Sequence, residues 1–248
     1  MENEEWRMEN EISFADMLKD GAKQFSFNLS EGQVDQLLLY KEILKEWNEK
    51  INLTAIEVDK DIIIKHFLDS MSILPYLTNK KLKVIDVGTG AGFPGIPVKI
   101  AFTELDIVLL DSLEKRLKFL NEVIGALKLG GIATVHGRAE DYGSNPGYRE
   151  KFDIAVARAV ASLPVLLEYC LPFVNVGGMF IAMKGSNLEE VEASSKALGI
   201  LGGKIEKIEE ITLPFSDIKR NIIIIKKLRH SPTNYPRKAG KPAKEPLI

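Results

Sequence analysis

The chain has 248 residues, 45% of them hydrophobic and 27% charged, which is the make-up of a globular protein with room for one α/β domain and a small extension. Its formal net charge of −2 hides an asymmetry: from Lys219 onward nine Lys or Arg face a single acid, Glu245, whereas residues 1–218 hold 24 basic and 34 acidic residues. Composition gives no support to a membrane helix or to metal catalysis: no apolar run reaches the roughly 18 to 20 residues of a membrane helix, and one cysteine (Cys170) with three scattered histidines (His66, His136, His230) supplies neither a disulfide framework nor a cysteine-based zinc site.

The first dozen residues are acidic and aperiodic and read as disordered. They lack the basic flank and apolar stretch of a signal peptide, so a cytoplasmic location is expected. At Ser30 an S-x-x-Q capping box with Gln33 opens a helix whose Val34, Leu37, Leu38, Tyr40, Leu44 and Trp47 share one face. A second helix from about Asp59 turns Ile62, Ile63, Phe67, Met71 and Leu74 inward and is ended by Pro75. Residues 1–80 are therefore expected to form an N-terminal helical cap.

From Lys81 the pattern changes to short apolar strands alternating with amphipathic helices. Strands are predicted at Leu82–Val87, Ile107–Leu110, Ile132–His136, Asp153–Ala157 and Met179–Met183, with a helix such as Glu114–Leu129 between them. That alternation implies βαβ units and a parallel sheet. The last two predicted strands, Lys204–Leu213 and Asn221–Leu228, are joined by so short a loop that they must form a hairpin. The expectation for residues 81–229 is a Rossmann-like α/β fold, a mostly parallel seven-stranded sheet with one antiparallel strand. Residues 230–248 form a basic, proline-punctuated tail, in which Arg237, Lys238 and Lys241 are candidates for contact with the phosphates of a polyanion. The alternative is a solvated terminus without a partner.

The first predicted strand runs into VIDVGTGAGFPG (84–95), which can be parsed in two ways. Read as Gly90-x-Gly92-x-x-Gly95 it is a dinucleotide fingerprint, but that motif needs its first glycine just after the strand, and the strand ends by Val87. Read as Asp86-x-Gly88-x-Gly90-x-Gly92, it places glycine at the strand end and an acid beside it, which suits a cationic donor such as S-adenosylmethionine. Asp111, at the end of the second strand, is placed to hold ribose hydroxyls, although such an acid suits NAD equally. After the third strand, Ala139 and Glu140 offer a backbone N–H and a carboxylate to an adenine edge. The plainer readings are that Asp86 caps the turn and that Glu140 starts a helix.

With these residues in view, the chain resembles the glucose-inhibited division protein B family, bacterial guanine-N7 methyltransferases of 16S ribosomal RNA. The resemblance runs from about Leu37 to Leu228 and is carried by seven blocks: WNEKINLT (47–54), KHFLDS (65–70), DVGTGAGFPGIP (86–97), LLDSLEKR (109–116), HGRAED (136–141), ARAVASL (157–163) and MKG (183–185). It implies a class I methyltransferase fold with S-adenosylmethionine as cofactor and 16S ribosomal RNA or the small ribosomal subunit as partner; separately, the chain is expected to be a monomer. It further implies that Gly88 and Phe93 line the methionine end of the cofactor, that Asp111 holds ribose, that Ala139 and Glu140 flank adenine, and that Arg158 adjoins cofactor and substrate.

Guanine N7 carries a free lone pair at neutral pH, so methyl transfer to it needs positioning rather than a general base. Arg158 is the candidate positioning residue, and Lys184 and His66 are candidates for contact with RNA. Asn52, Thr54, Asp69 and Ser70 are further pocket candidates from the cap. Phe93 is read equally as a stacking surface for the base and as helix packing, and Arg158 has a rival reading as a buried cation paired to an acid. Two rival functions stand beside this one: an NAD-dependent oxidoreductase and a non-catalytic RNA-binding assembly protein.

Overall fold

In the computed structural model, residues 12–78, 80–186 and 188–248 are described. Almost all of the N-terminal stretch read as disordered therefore lies outside the described residues. The cap opens with a helix absent from the sequence reading, α1 (Phe14–Gln24), whose N-cap Ser13 accepts a hydrogen bond from the Asp16 N–H. Helix α2 (Glu31–Ile51) starts at the anticipated capping box, with both of its reciprocal bonds formed. Gln33 also reaches outward, its amide donating to the carbonyls of Ile100 (2.8 Å) and Ala101 (3.1 Å). The same side chain thus starts a cap helix and ties it to the sheet domain.

The second predicted helix, α3, is three segments in one: Asp59–Ile62, a π-helical stretch Ile63–Leu68, and Asp69–Met71. It ends at Met71 rather than at Pro75, which sits instead in a separate 3₁₀ turn, Leu74–Tyr76. All five residues predicted to face inward are buried. The π-helical stretch widens the buried face so that Ile64, His66 and Leu68 are buried as well.

All seven predicted strands are present: β1 (Lys83–Val87), β2 (Asp106–Asp111), β3 (Ile132–His136), β4 (Phe152–Arg158), β5 (Val174–Lys184), β6 (Gly203–Thr212) and β7 (Lys219–Lys227). They form one sheet in the order β3-β2-β1-β4-β5-β7-β6. Strands β1 to β5 run parallel, and β7 is antiparallel to both β5 and β6. This is the class I methyltransferase arrangement. Strand β5 starts five residues before its predicted start, passing through the Gly177-Gly178 pair. A Cβ on Gly178 would lie 2.5 Å from the Asp153 carbonyl oxygen, so glycine allows β5 to run close beside β4 where their register shifts.

Helices cover both faces: α4 (Gly95–Ala101) and α5 (Glu114–Ala126) with the cap on one, α6 (Ala139–Ser144), α7 (Leu163–Cys170), α8 (Glu189–Ala193) and α9 (Ser195–Leu201) toward the other. Alternation along β4 divides its side chains between two cores. Ile154 and Val156 join the core containing Leu37, Tyr40 and Phe67 of the cap, while Ala155 and Ala157 join that of α7. The cap is thus packed into the core on one face of the sheet. Among the described residues no helix is long and apolar enough to cross a membrane.

Candidate functional site

The glycine turn after β1 is held from several sides. Asp86 is fully buried behind it, with Oδ2 accepting from Thr89 Oγ1 (2.7 Å) and from the Gly95 N–H (2.8 Å). Burial raises its carboxyl to about 6, against the hydrogen bonds that favour the charged form. The expected direct contact of Asp86 with a bound cation gives way to the plainer role of fixing the turn, because none of its surface is open. Gly95 permits that bond: a Cβ there would lie 2.4 Å from Leu109 and 2.8 Å from Asp86 Oδ2. From the cap, the buried Tyr40 hydroxyl donates to the Ala91 carbonyl. Gly92, at φ 92°, gives Tyr40 its room, since a Cβ would lie 2.6 Å from the hydroxyl.

The N–H groups of this turn bond to protein. Gly88 and Thr89 donate to the Leu110 carbonyl, Gly90 to Asp111 Oδ2 (2.9 Å), and Gly92 and Phe93 to the Thr89 carbonyl. Those five N–H groups are committed inside the fold. A pyrophosphate needs such donors, whereas a sulfonium and an ammonium do not.

A cleft of about 260 Å³ crosses the carboxyl ends of β1, β2 and β3. Gly88 and Val160 border it at the β1 end, Asp111 in the middle, and Ala139 and Glu140 at the β3 end. Asp111 accepts from the N–H groups of Gly90 and Leu113 and pairs with the half-buried Arg116 at 3.2 Å. A Cβ on Gly90 would meet nothing nearer than the Gly88 carbonyl oxygen at 4.0 Å, so the space over the turn is open. Glu140 does begin a helix, α6, and still lines the cleft. An acid midway along an open glycine-floored cleft fits a nucleoside whose sugar lies over β2 and whose base lies toward β3.

A second cleft, of about 270 Å³, lies on the other side of the segment 158–161. Arg158 and Ala159 border this one, Val160 and Ala161 the first, so the two clefts share a wall. Ala159 takes up a left-handed φ of 55° in that wall, unusual for a residue other than glycine. Arg158 donates to Asp69 Oδ2 (2.9 Å) and to the Lys65 carbonyl (3.0 Å), and its Nη2 lies 3.1 Å from His66 Nδ1. Since arginine only donates, Nδ1 must accept, and Nε2–H then donates to Thr54 Oγ1 at 2.8 Å. Burial, reinforced by Arg158, lowers the His66 pKa to about 3, so the ring is neutral at physiological pH. His66 therefore is not a cation for RNA phosphates, and its free lone pair is spent on Arg158. The neutral ring lies flat on Phe93, with centroids 4.4 Å apart and planes 7° from parallel, and the Arg158 guanidinium stands 5.0 Å from the Phe93 centroid.

Residues 33–223 match the family described as rRNA small subunit methyltransferase G, GidB. The chain is 66% identical to the ribosomal RNA small subunit methyltransferase G of Acetivibrio thermocellus over 96% of its own length and 99% of that protein's. It is 55% identical to the protein of the same name from Alkaliphilus oremlandii, over 95% and 100% of the two lengths. The chain belongs to the GidB family. Its fold is shared by the YcgJ protein of Bacillus subtilis, at TM-score 0.50 and 12% identity, over 65% of this chain and 98% of that one.

In this GidB chain several candidate residues bond within the protein. Phe93 is buried and packs between Tyr40 and His66. Lys184 pairs with Glu190 (2.9 Å) and donates to the Ala161 carbonyl (2.8 Å), holding the shared wall from below while still lining the second cleft. Arg237 is locked to Glu168, an acid with no exposure, through Nη2 at 2.6 Å and its backbone N–H at 2.8 Å. It is thereby withdrawn from the expected role on RNA. Lys238 and Lys241 are exposed. Asn52 ends α2 in a left-handed conformation, and Ser70 is buried with its hydroxyl on the His66 carbonyl. Arg220 is a site residue that no sequence motif marks: its Nε bonds Asp69 Oδ1 at 3.2 Å, so Asp69 holds two guanidinium groups. Because β7 runs opposite to its neighbours, it brings its first residues rather than its last to the ligand face. Among the described residues no cluster of three or more His, Cys, Asp or Glu is placed to hold a metal ion.

Proposed function

We propose that this chain is a cytoplasmic, monomeric enzyme that transfers the methyl group of S-adenosylmethionine to N7 of a guanine in 16S ribosomal RNA, as naked RNA or within the small subunit. The observation that carries the reading is the pair of clefts separated only by residues 158–161, one suited to a nucleoside and the other bordered by Arg158, Arg220, Lys65 and Lys184. Family membership supports the methyltransferase reading, and the relatives' printed names support ribosomal RNA of the small subunit as substrate. In this reading residues 81–229 hold the donor, and residues 1–80 cap the site and help build it.

The donor supplies an electrophilic methyl carbon on a sulfonium. Asp111 holds the ribose, Ala139 and Glu140 flank the adenine, and Gly88 with Val160 borders the methionine end. On the acceptor side, the guanine N7 lone pair needs no proton removed, and the residues at hand offer no free base. His66 is neutral with its Nδ1 lone pair on Arg158, and Asp86 is enclosed. Arg158 acts by positioning. Its charge is offset in part by Asp69, which it shares with Arg220, and this lessens its opposition to the positive charge that passes to the base. Base recognition then falls to the Watson–Crick edge of an unstacked guanine.

Calorimetric titration of the chain with S-adenosylmethionine and with NAD separates this reading from the oxidoreductase. Binding of the methyl donor without NAD is the expected result. Binding of NAD alone would reject the proposal.

A further inference from the structure

The C-terminal tail, expected as an RNA-binding appendage, is folded against the donor cleft. Arg149 clamps its start, donating to the carbonyls of Ser231 (2.7 Å) and Tyr235 (2.7 Å). Arg237 then pairs with the buried Glu168. Gly240 donates its N–H to Glu140 Oε1 at 2.8 Å, and Ala243, in the short helix α10 (Lys241–Lys244), lines the donor cleft. Leu247 beyond it is buried.

We propose that residues 236–245 form the adenine-side wall of the S-adenosylmethionine pocket, so that donor binding and seating of the tail stabilise each other. The inference rests on the donor reading given above and adds a binding element to it. The sheet order fixes which end the tail covers. The cleft runs from Gly88 on β1, past Asp111 on β2, to Glu140 beyond β3, so a nucleoside with its sugar at Asp111 has its base where Ala243 and Glu140 meet. Gly240 also restrains the Glu140 carboxylate, so the tail sets the position of the acid beside the base. A ligand that contacts only the seated tail must favour the seated state by linkage.

The tail carries its own reporters. Lys238 and Lys244 are exposed tryptic sites within the wall, whereas the Lys241 bond is followed by Pro242 and resists trypsin. In the full-length chain, S-adenosylmethionine is expected to slow cleavage after Lys238 and Lys244 several-fold, read by mass, with cleavage elsewhere less affected. Ala243→Trp, a change at an exposed position, is expected to alter the calorimetric affinity for S-adenosylmethionine by roughly tenfold or more while the melting temperature without ligand stays unchanged. If the wild-type chain binds the donor, yet trypsin sensitivity of the tail is unaffected and the variant binds equally well, this inference is overturned and the donor reading survives. If the wild-type chain does not bind S-adenosylmethionine, both fall.

Discussion

Arg158 is the point at which the cap, Phe93 beyond the glycine turn and the second cleft meet, and its partners make its contribution measurable. It is a half-buried cation paired to a buried acid, close to one reading of AVARAVA, and it also borders the proposed acceptor pocket. Arg158→Ala is expected to lower kcat/KM by about 100-fold or more, as loss of a positioning group does. It should also raise the His66 pKa, since burial and Arg158 are its first two depressing causes and only burial would remain. Ring NMR titration checks this; an unmoved His66 would contradict the contact. Asp86 allows a second test at this scale, through the pH dependence of stability without ligand. Its folded pKa of about 6 lies above the unfolded value of 3.8, so its contribution is fully present below about pH 4 and is lost as pH rises through 6. His66 acts oppositely, with stability present above 6.5 and lost as pH falls toward 3. Asp86→Asn removes the first effect alone. Denaturant titrations between pH 4 and 6 should show the variant gaining on wild type as pH rises, by an amount of order 2 kcal/mol. A constant difference would contradict the assignment.

At the scale of elements, the helices of the cap act on the site through single long-range bonds. Helix α2 reads from sequence as an amphipathic helix with Tyr40 on its buried face, and it is one; that Tyr40 also fastens the Ala91 carbonyl depends on a partner 51 residues away. The same holds for Asp69, a pocket candidate by motif whose two arginine partners lie 89 and 151 residues on. Periodicity identifies a face, and only the assembled fold identifies what that face touches. The tail misleads for a related reason. Its charge suggests solvent and phosphate, but Arg237 is matched by Glu168, a fully buried acid within the otherwise apolar helix α7. Arg237→Ala leaves that acid without its ion-pair partner, and stability should fall by about 3–5 kcal/mol in denaturant titration. An unchanged stability would return Arg237 to the surface role that its sequence suggests.

For the whole molecule, sequence order is the most legible feature. Alternating short strands and helices imply the sheet, and the short link before β7 implies the antiparallel hairpin, because chain length alone forbids a crossover there. The location of the proposed donor site follows from Gly88 and Asp111 at the ends of β1 and β2, with Asp86 behind the turn. Less legible are α1, whose cap Ser13 adjoins an acidic stretch, and Arg220, whose strand direction must be known before its first residues can be placed at the site. The central claim is a methyl transfer across residues 158–161, from a donor over the glycine turn to a guanine in ribosomal RNA. It is tested most directly by incubating the chain with isotopically labelled S-adenosylmethionine and 16S ribosomal RNA, free and in small subunits, then identifying the labelled nucleoside by mass. The predicted product is 7-methylguanosine, formed by the wild type and formed more slowly, by about 100-fold or more, in Arg158→Ala. Label in another nucleoside, or none in either RNA, would contradict the account.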